Sequence, residues 1–177
     1  PFWTSYLLRV FSWKLILGYN GVINGSLSNL GLIDNPLSFL LYNPFAVFVT
    51  LAHAWSAFAI LPIYVSLEKI DRSLLEAASD LGDSAFRRFW RITFPLSYPG
   101  VLAASLIIFI PTTGDFITPK LVGGSEGIMV ANLIQVMFGK ANNWPLGSSL
   151  AIITMTIVTV SVICFVVISR WLISRIK

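Results

Sequence analysis

Residues 44–67 read PFAVFVTLAHAWSAFAILPIYVSL, without one Asp, Glu, Lys or Arg. A helix rises about 1.5 Å per residue, so about 20 apolar residues cross the roughly 30 Å of hydrocarbon in a bilayer. The stretch is long enough, and it predicts a first membrane span. Pro62 should kink or loosen its end. His53 lies inside it with no acid within a turn or two, which favours a helix–helix hydrogen-bonding role over a substrate ligand or proton relay.

The whole chain agrees with that reading. Of its 177 residues 56% are hydrophobic and 11% charged, with mean hydropathy +0.81. A soluble domain carries about 25% charged residues. The net charge of +4 comes from 12 basic residues spread over several loops, which excludes a nucleic-acid patch. Cys164 is the only cysteine, so neither an internal disulfide nor a cysteine metal cluster is available. No metal site and no cofactor site is predicted on this chain. Pro1 is not followed by a basic segment and a small-residue cleavage site, so no signal peptide is read there. The chain is expected to be the later part of a longer protein, preceded by further spans.

Outward from the first span, residues 1–43 read as an external or interfacial segment. Phe2, Trp3, Tyr6, Phe11 and Trp13 suit a membrane–water boundary, and a helix would line up Ser5, Arg9 and Ser12. The uncharged run from Leu15 to Ile33 is interrupted by Gly18, Gly21, Gly25 and Gly31 and by Asn20, Asn24 and Asn29. It is expected to form a surface loop or short helices rather than a span.

Beyond the first span, residues 68–94 are polar and residues 95–114 form a second span, within an uncharged run from Ile92 to Gly114. Pro95, Pro99 and Pro111 predict irregular backbone there, tolerated where protein or water satisfies the freed carbonyls. Residues 115–147 make an external connector with a short amphipathic or re-entrant helix over Ile128–Phe138 and an interfacial turn at Asn142-Asn143-Trp144-Pro145. Residues 148–169 are the third span, and 170–177 a tail. The fold class is therefore an all-α, polytopic integral membrane protein, with three spans and interfacial helices.

Basic residues orient it. Lys69, Arg72, Arg87, Arg88, Arg91, Arg170, Arg175 and Lys177 fall on one side of the predicted spans; Arg9, Lys14, Lys120 and Lys140 fall on the other. The positive-inside rule places the 68–94 loop and the C-terminus in the cytoplasm.

That loop contains EAASDLGDSAFRRFWRITFP, residues 76–95. Leu67, Ile70, Leu74, Ala77 or Ala78, and Leu81 recur at spacings of three and four, which predicts one apolar helical face. Ser73 and Glu76 stand in capping-box spacing, so a helix should begin at Ser73. Gly82 suits the left-handed residue that ends it. Asp83 or Ser84 can cap a second helix carrying Phe86, Phe89 and Trp90 beside Arg87, Arg88 and Arg91. Ala77 and Ala78 would let a partner surface come close. The competing reading is a solvated connector whose aromatics lie on headgroups and whose arginines contact anionic membrane lipid.

Glu76-Ala77-Ala78, Gly82 and then Ile92-Thr93-Phe94-Pro95 resemble, in spacing, the cytoplasmic-loop signature of the membrane subunits of ABC importers that use a binding protein. Phe94 replaces the usual leucine and stays apolar. Short stretches elsewhere look like the spermidine/putrescine permease branch: Pro1-Phe2-Trp3-Thr4-Ser5, Gly21-Val22-Ile23-Asn24, Leu61-Pro62-Ile63-Tyr64 and Gly114-Asp115-Phe116-Ile117-Thr118-Pro119. Sister branches importing other small solutes share parts of them.

The resemblance implies a helical bundle of the MetI-like ABC importer permease type in the bacterial inner membrane. It implies a second permease subunit, a dimer of ATP-binding cassette subunits that carry ATP and Mg, and a periplasmic solute-binding protein. Glu76, Ala77, Ala78, Gly82, Ile92 and Pro95 would transmit ATPase motion. This chain has no Walker A glycine loop, so it is not expected to be an enzyme.

For a flexible polycation, Asp115 with Phe116, and Glu126 with Trp144, are the candidate contacts to solute or binding protein. The alternative makes Asp115 a loop cap and Glu126 a solvated acid. An importer of another small solute or ion is the alternative function. An ion-driven secondary transporter would need intramembrane ionisable groups, of which His53 alone qualifies. A purely structural scaffold would leave the docking-type hairpin unexplained.

Overall fold

The structure is a computed structural model and describes residues 4–176, with side chains as far as Trp171. Pro1, Phe2, Trp3 and Lys177, and the side chain of Arg175, lie outside the described residues. Among those described, every regular element is helical. They are α1 (Tyr6–Leu17), α2 (Val22–Asn29), α3 (Pro44–Glu68), α4 (Arg72–Asp80), α5 (Ala85–Arg88), α6 (Phe94–Thr113), α7 (Val130–Phe138) and α8 (Trp144–Ile176). Wide π-type turns occupy Phe89–Thr93 and Pro119–Gly123.

Among the described residues, three helical stretches are long and apolar enough to cross a membrane: Pro44–Glu68, Ala85–Thr113 and Trp144–Trp171. A continuous helix is the form such a segment must take, because hydrocarbon offers its backbone no other hydrogen-bond partner. The third begins at Trp144 rather than Ser148. Asn142 takes up φ +48°, Asn143 Oδ1 accepts from the Leu146 N–H at 3.2 Å, and Trp144-Pro145 become its first turn. Proline fits there because first-turn N–H groups have no partner inside the helix.

The chain packs as two units. The first comprises the residues up to Ala57 together with Pro111–Met155. Its core joins Val10 and Leu17 of α1, Ala46 and Val47 of α3, and Val122 of the second π turn. Ala46, Thr50 and Ala54 follow one another at four-residue spacing on the buried face of α3. His53 bridges to α1 by its ring, edge-on to Trp13 with centroids 5.5 Å apart.

The segment between Leu15 and Ile33 resolves into the end of α1 and the short α2. Asn20 and Asn29 are exposed, whereas Asn24 is buried. The Asn24 side-chain amide donates to the carbonyls of Gly18 (3.2 Å) and Leu37 (3.1 Å), and its oxygen accepts from the Leu37 N–H (2.8 Å). The polar cost anticipated for this asparagine is met by backbone on both sides of α2. α7 starts at Val130, two residues later than predicted. Asn132 holds its first turn by accepting from the Met129 N–H, and donates to the Phe116 carbonyl at 2.7 Å.

The second unit comprises Phe58–Ile110 and the residues from Thr156 on. Ser97, Gly100 and Ala104 form a buried small-residue face on α6. A Cβ placed on Gly100 would lie 2.5 Å from the Pro62 carbonyl oxygen and 2.2 Å from Ser66 Oγ, so α3 and α6 approach closely there. Small residues are what permit such contact in membranes, where packing replaces the hydrophobic effect between helices.

Pro62 lies within one unbroken helix, as do Pro99 and Pro111. The irregular backbone expected from the proline cluster is confined to Phe89–Thr93, directly ahead of Pro95. Pro95 has no N–H to give to the carbonyl four residues earlier. The preceding N–H, of Phe94, bonds five residues back to Phe89.

Candidate coupling site

The polar stretch between the first two long helices folds as a helical hairpin. Asp71, not Ser73, starts it: the Asp71 carboxylate accepts from the Ser73 N–H at 2.9 Å, and α4 opens at Arg72. That bond holds the exposed Asp71 carboxyl below its ordinary pKa. Ser73 and Glu76 consequently lie inside the helix, and no capping box forms between them. Leu67 belongs to the end of α3 and Ile70 to the turn, so the predicted apolar face is interrupted before α4 begins.

Within α4, Glu76 and Ala77 are exposed and Ala78 is buried. The helix ends in a Schellman arrangement. Gly82 donates to the Ser79 carbonyl (2.9 Å) and Asp83 to the Ala78 carbonyl (3.0 Å), while Gly82 adopts φ +83°. Glycine is required here for its backbone angle. No atom lies within 4 Å of where a Cβ on Gly82 would stand, so the space above it is open. Leu81 beside it is 87% exposed, an apolar side chain left uncovered at the tip of a polar loop.

Ser84 caps α5, accepting from the Arg87 N–H at 3.4 Å. Two cations then find partners, Arg88 across the hairpin and Arg91 within its second arm. Arg88 Nη1 donates to the Leu75 carbonyl of α4 at 3.5 Å, and Arg91 Nη1 lies 3.3 Å from Asp83 Oδ2. These bonds join residues 13 and 8 positions apart, spacings for which a periodicity argument offers no signal.

The structure divides the six residues singled out from sequence. Glu76, Ala77, Ala78 and Gly82 lie together on α4 and its C-terminal turn. Ile92 and Pro95 stand apart, half-buried in the π turn and the first turn of α6. They belong to the joint between hairpin and span.

The other four candidates lie in the first unit. Asp115 is buried, and its carboxylate accepts from the Tyr6 hydroxyl and from the N–H groups of Ile117 (2.9 Å) and Thr118 (3.3 Å). The Tyr6 hydroxyl also meets Thr118 Oγ1 at 2.5 Å. Burial first, and then the bond to Asp115, push the phenol pKa upward. The Phe116 carbonyl receives Asn132, Glu126 is exposed, and the exposed Trp144 donates its indole N–H to Asn142 at 2.9 Å. Sequence order gives no sign of Tyr6 as the partner of Asp115, since 109 residues separate them.

A sequence profile described as "Binding-protein-dependent transport system inner membrane component" matches residues 2–177. The chain belongs to this family. Among relatives of this permease family, it is 40% identical to the Haemophilus influenzae "Spermidine/putrescine transport system permease protein PotB" over 152 residues, covering 86% of this chain and 53% of that protein. The Escherichia coli K12 protein of the same name is also 40% identical, over 89% of this chain and 57% of its own length. The E. coli "Inner membrane ABC transporter permease protein YdcU" is 31% identical over 168 residues, covering 89% of this chain and 53% of that protein. The chain thus spans about half the length of the curated relatives it matches. A solved structure described as a bacterial ABC transporter involved in importing the acidic polysaccharide alginate superposes with TM-score 0.73. It covers 95% of this chain and 61% of that one, at 17% identity, a likeness of fold alone.

Proposed function

We infer that this chain is a permease subunit of an ATP-driven, binding-protein-dependent importer, and that its solute is a polyamine of the spermidine/putrescine class. The observation that carries the solute class is the 40% identity to proteins named as spermidine/putrescine permeases, sustained over most of this chain. ATP is hydrolysed on separate ATP-binding subunits. A second permease subunit completes the pathway, and a periplasmic binding protein delivers the solute.

The hairpin around Gly82 is the ATPase-docking element. Its fit to that role is physical: two short helices tied by Arg88 present the uncovered Leu81 and an open glycine turn. Movement of the docked ATPases is passed through Ile92 and Pro95 to α6, switching the spans between outward and inward access. The excess of basic residues in this loop and the tail puts both in the cytoplasm. Asp115 organises its own loop, while Glu126, Trp144 and the ring of Phe116, all exposed, are placed to meet the binding protein or the arriving cation.

Labelled spermidine uptake by the complete importer, in cells stripped of their other polyamine uptake systems, tests the reading. Excess unlabelled spermidine or putrescine should suppress the signal. Uptake indifferent to excess polyamine would reject the solute class, and failure of any ATP-binding subunit to co-purify would reject the importer reading.

A further inference from the structure

The helix that begins at Ala85 runs 29 residues to Thr113, counting the π turn. That is about 43 Å of helix against the roughly 30 Å, or about 20 residues, that the hydrocarbon layer takes up. Counted back from the polar exit at Gly114, the surplus falls on residues 85–93. The last charge is Arg91 and the uncharged run opens at Ile92. Residues 85–93 therefore extend about 13 Å beyond the hydrocarbon edge on a helix continuous with the span, with Arg91 in the headgroup layer and Arg87 within a long side chain's reach of it.

What they present there is ordered. Phe86, Trp90 and Phe94 form a contiguous aromatic row, with ring centroids 6.3 Å and 5.0 Å apart in succession. Phe89 packs edge-on to Trp90 at 5.4 Å. Arg87 and Arg91, each the next residue after a ring of that row, are both exposed. Arg88 is turned back to the Leu75 carbonyl and takes no part. Asp83 engages Arg91 through Nη1 only, at 3.3 and 3.4 Å, and leaves its side chain 71% exposed. A guanidinium has five N–H donors in a planar fork, so most of Arg91's remain available.

We propose that this edge of the hairpin, Arg87 and Arg91 beside Trp90, binds the headgroup of an anionic phospholipid. The two guanidinium groups take the phosphate, and the indole lies at the hydrocarbon boundary. The loop then has two faces. The Gly82 turn with Leu81 meets protein, and the α5 edge rests on lipid. Charge complementarity and the height imposed by α6 select lipid as the occupant. The assignment depends on residues 85–113 spanning the bilayer and not on the coupling role of Gly82, so the two can fail separately.

The assembled importer, in nanodiscs of phosphatidylcholine mixed with phosphatidylglycerol, supplies the test. The phosphatidylglycerol retained per importer after detergent extraction is compared with phosphatidylcholine. Wild type should retain phosphatidylglycerol preferentially. The preference should fall about fivefold for each arginine replaced in Arg87→Gln and Arg91→Gln, as expected for a basic side chain at an anionic surface. Arg87→Lys should keep much of it. Co-purification of the ATP-binding subunits in neutral detergent should be unchanged in Arg87→Gln and Arg87→Lys, whose position takes no part in holding the hairpin together. An unchanged phosphatidylglycerol preference in the Arg87→Gln, Arg91→Gln double variant overturns the proposal. Loss of the ATP-binding subunits in neutral detergent from either Arg87 variant also overturns it, assigning that arginine to protein docking. Displacement of the lipid by added inorganic phosphate at matched ionic strength would make this a free-anion site instead.

Discussion

Arg88 reaches back to the carbonyl of Leu75, Nη1 to oxygen 3.5 Å, and so ties α5 to α4 across the Gly82 turn. A docking element that receives force must move as one body. This bond joins the two short helices, while the Asp83–Arg91 pair stays within the second arm. Arg88→Met keeps the aliphatic length and removes the donor. The bond is long and half-exposed, so its loss should cost about 1 kcal/mol or less. ATPase affinity, measured by titrating ATP-binding subunits onto the permease, should fall by up to about fivefold while membrane insertion stays normal. Unaltered affinity would show that the brace does not hold the docking geometry.

Gly82 separates backbone from surface effects. At φ +83° a side chain costs about 1–2 kcal/mol of local strain, yet the space around the position is empty. Gly82→Asp should therefore insert and fold, and should lose ATPase docking and uptake. Gly82→Asn tolerates the left-handed angle better and tests which effect dominates. Asn matching Asp in loss of docking points to the partner's close approach. Docking restored by Asn points to the turn itself. Full transport by Gly82→Asp would reject the coupling assignment.

Gly100 should be intolerant for the opposite reason. Its would-be Cβ meets the Pro62 carbonyl at 2.5 Å, and a helix backbone cannot swing aside as a side chain can. Overpacking of this kind costs typically about 1–3 kcal/mol. Gly100→Val should lower the thermal unfolding midpoint in detergent, and Ser66→Gly should restore little of it because the carbonyl remains. Full rescue by Ser66→Gly would assign the crowding to the Ser66 side chain alone.

Tyr6→Phe deletes the donor to Asp115 and the contact to Thr118 while keeping the ring. A buried carboxylate deprived of a partner costs about 1–3 kcal/mol. The raised phenol pKa sets the sign of the pH dependence. Its stabilisation is fully present below the unfolded value of about 10 and is lost as pH climbs toward the folded value. Wild type should lose stability in strongly alkaline buffer, and Tyr6→Phe, weaker at neutral pH, should lack that component. Parallel alkaline titrations of the two would refute the assignment.

Several features are legible along the chain because they depend on local order. The uncharged runs set three span-length helices, and the glycine after an amphipathic stretch sets the end of α4. Asp83 and Ser84 both suit the cap of α5, and Ser84 is the one that bonds. The start of α4 differs from its expected place because Ser73 and Asp71 both satisfy local capping rules, and the chain uses the earlier residue. The proline cluster announces irregular backbone without saying which turn will absorb it. The missing N–H of Pro95 puts it in the preceding turn.

Asn24 and Asp115 mark where local reading stops. Residue type shows that each needs hydrogen-bond partners; it does not show that Leu37 and Tyr6 supply them. Periodicity, charge and composition are enough to dictate a helical membrane protein, three apolar stretches of spanning length, and a two-helix hairpin with its break at Gly82. Packing settles which carboxylate is consumed internally, which arginine ties α5 to α4 and which stay exposed, and where α3 and α6 touch. Those outcomes depend on groups far apart in the chain meeting at hydrogen-bond distance, which packing controls and local order does not.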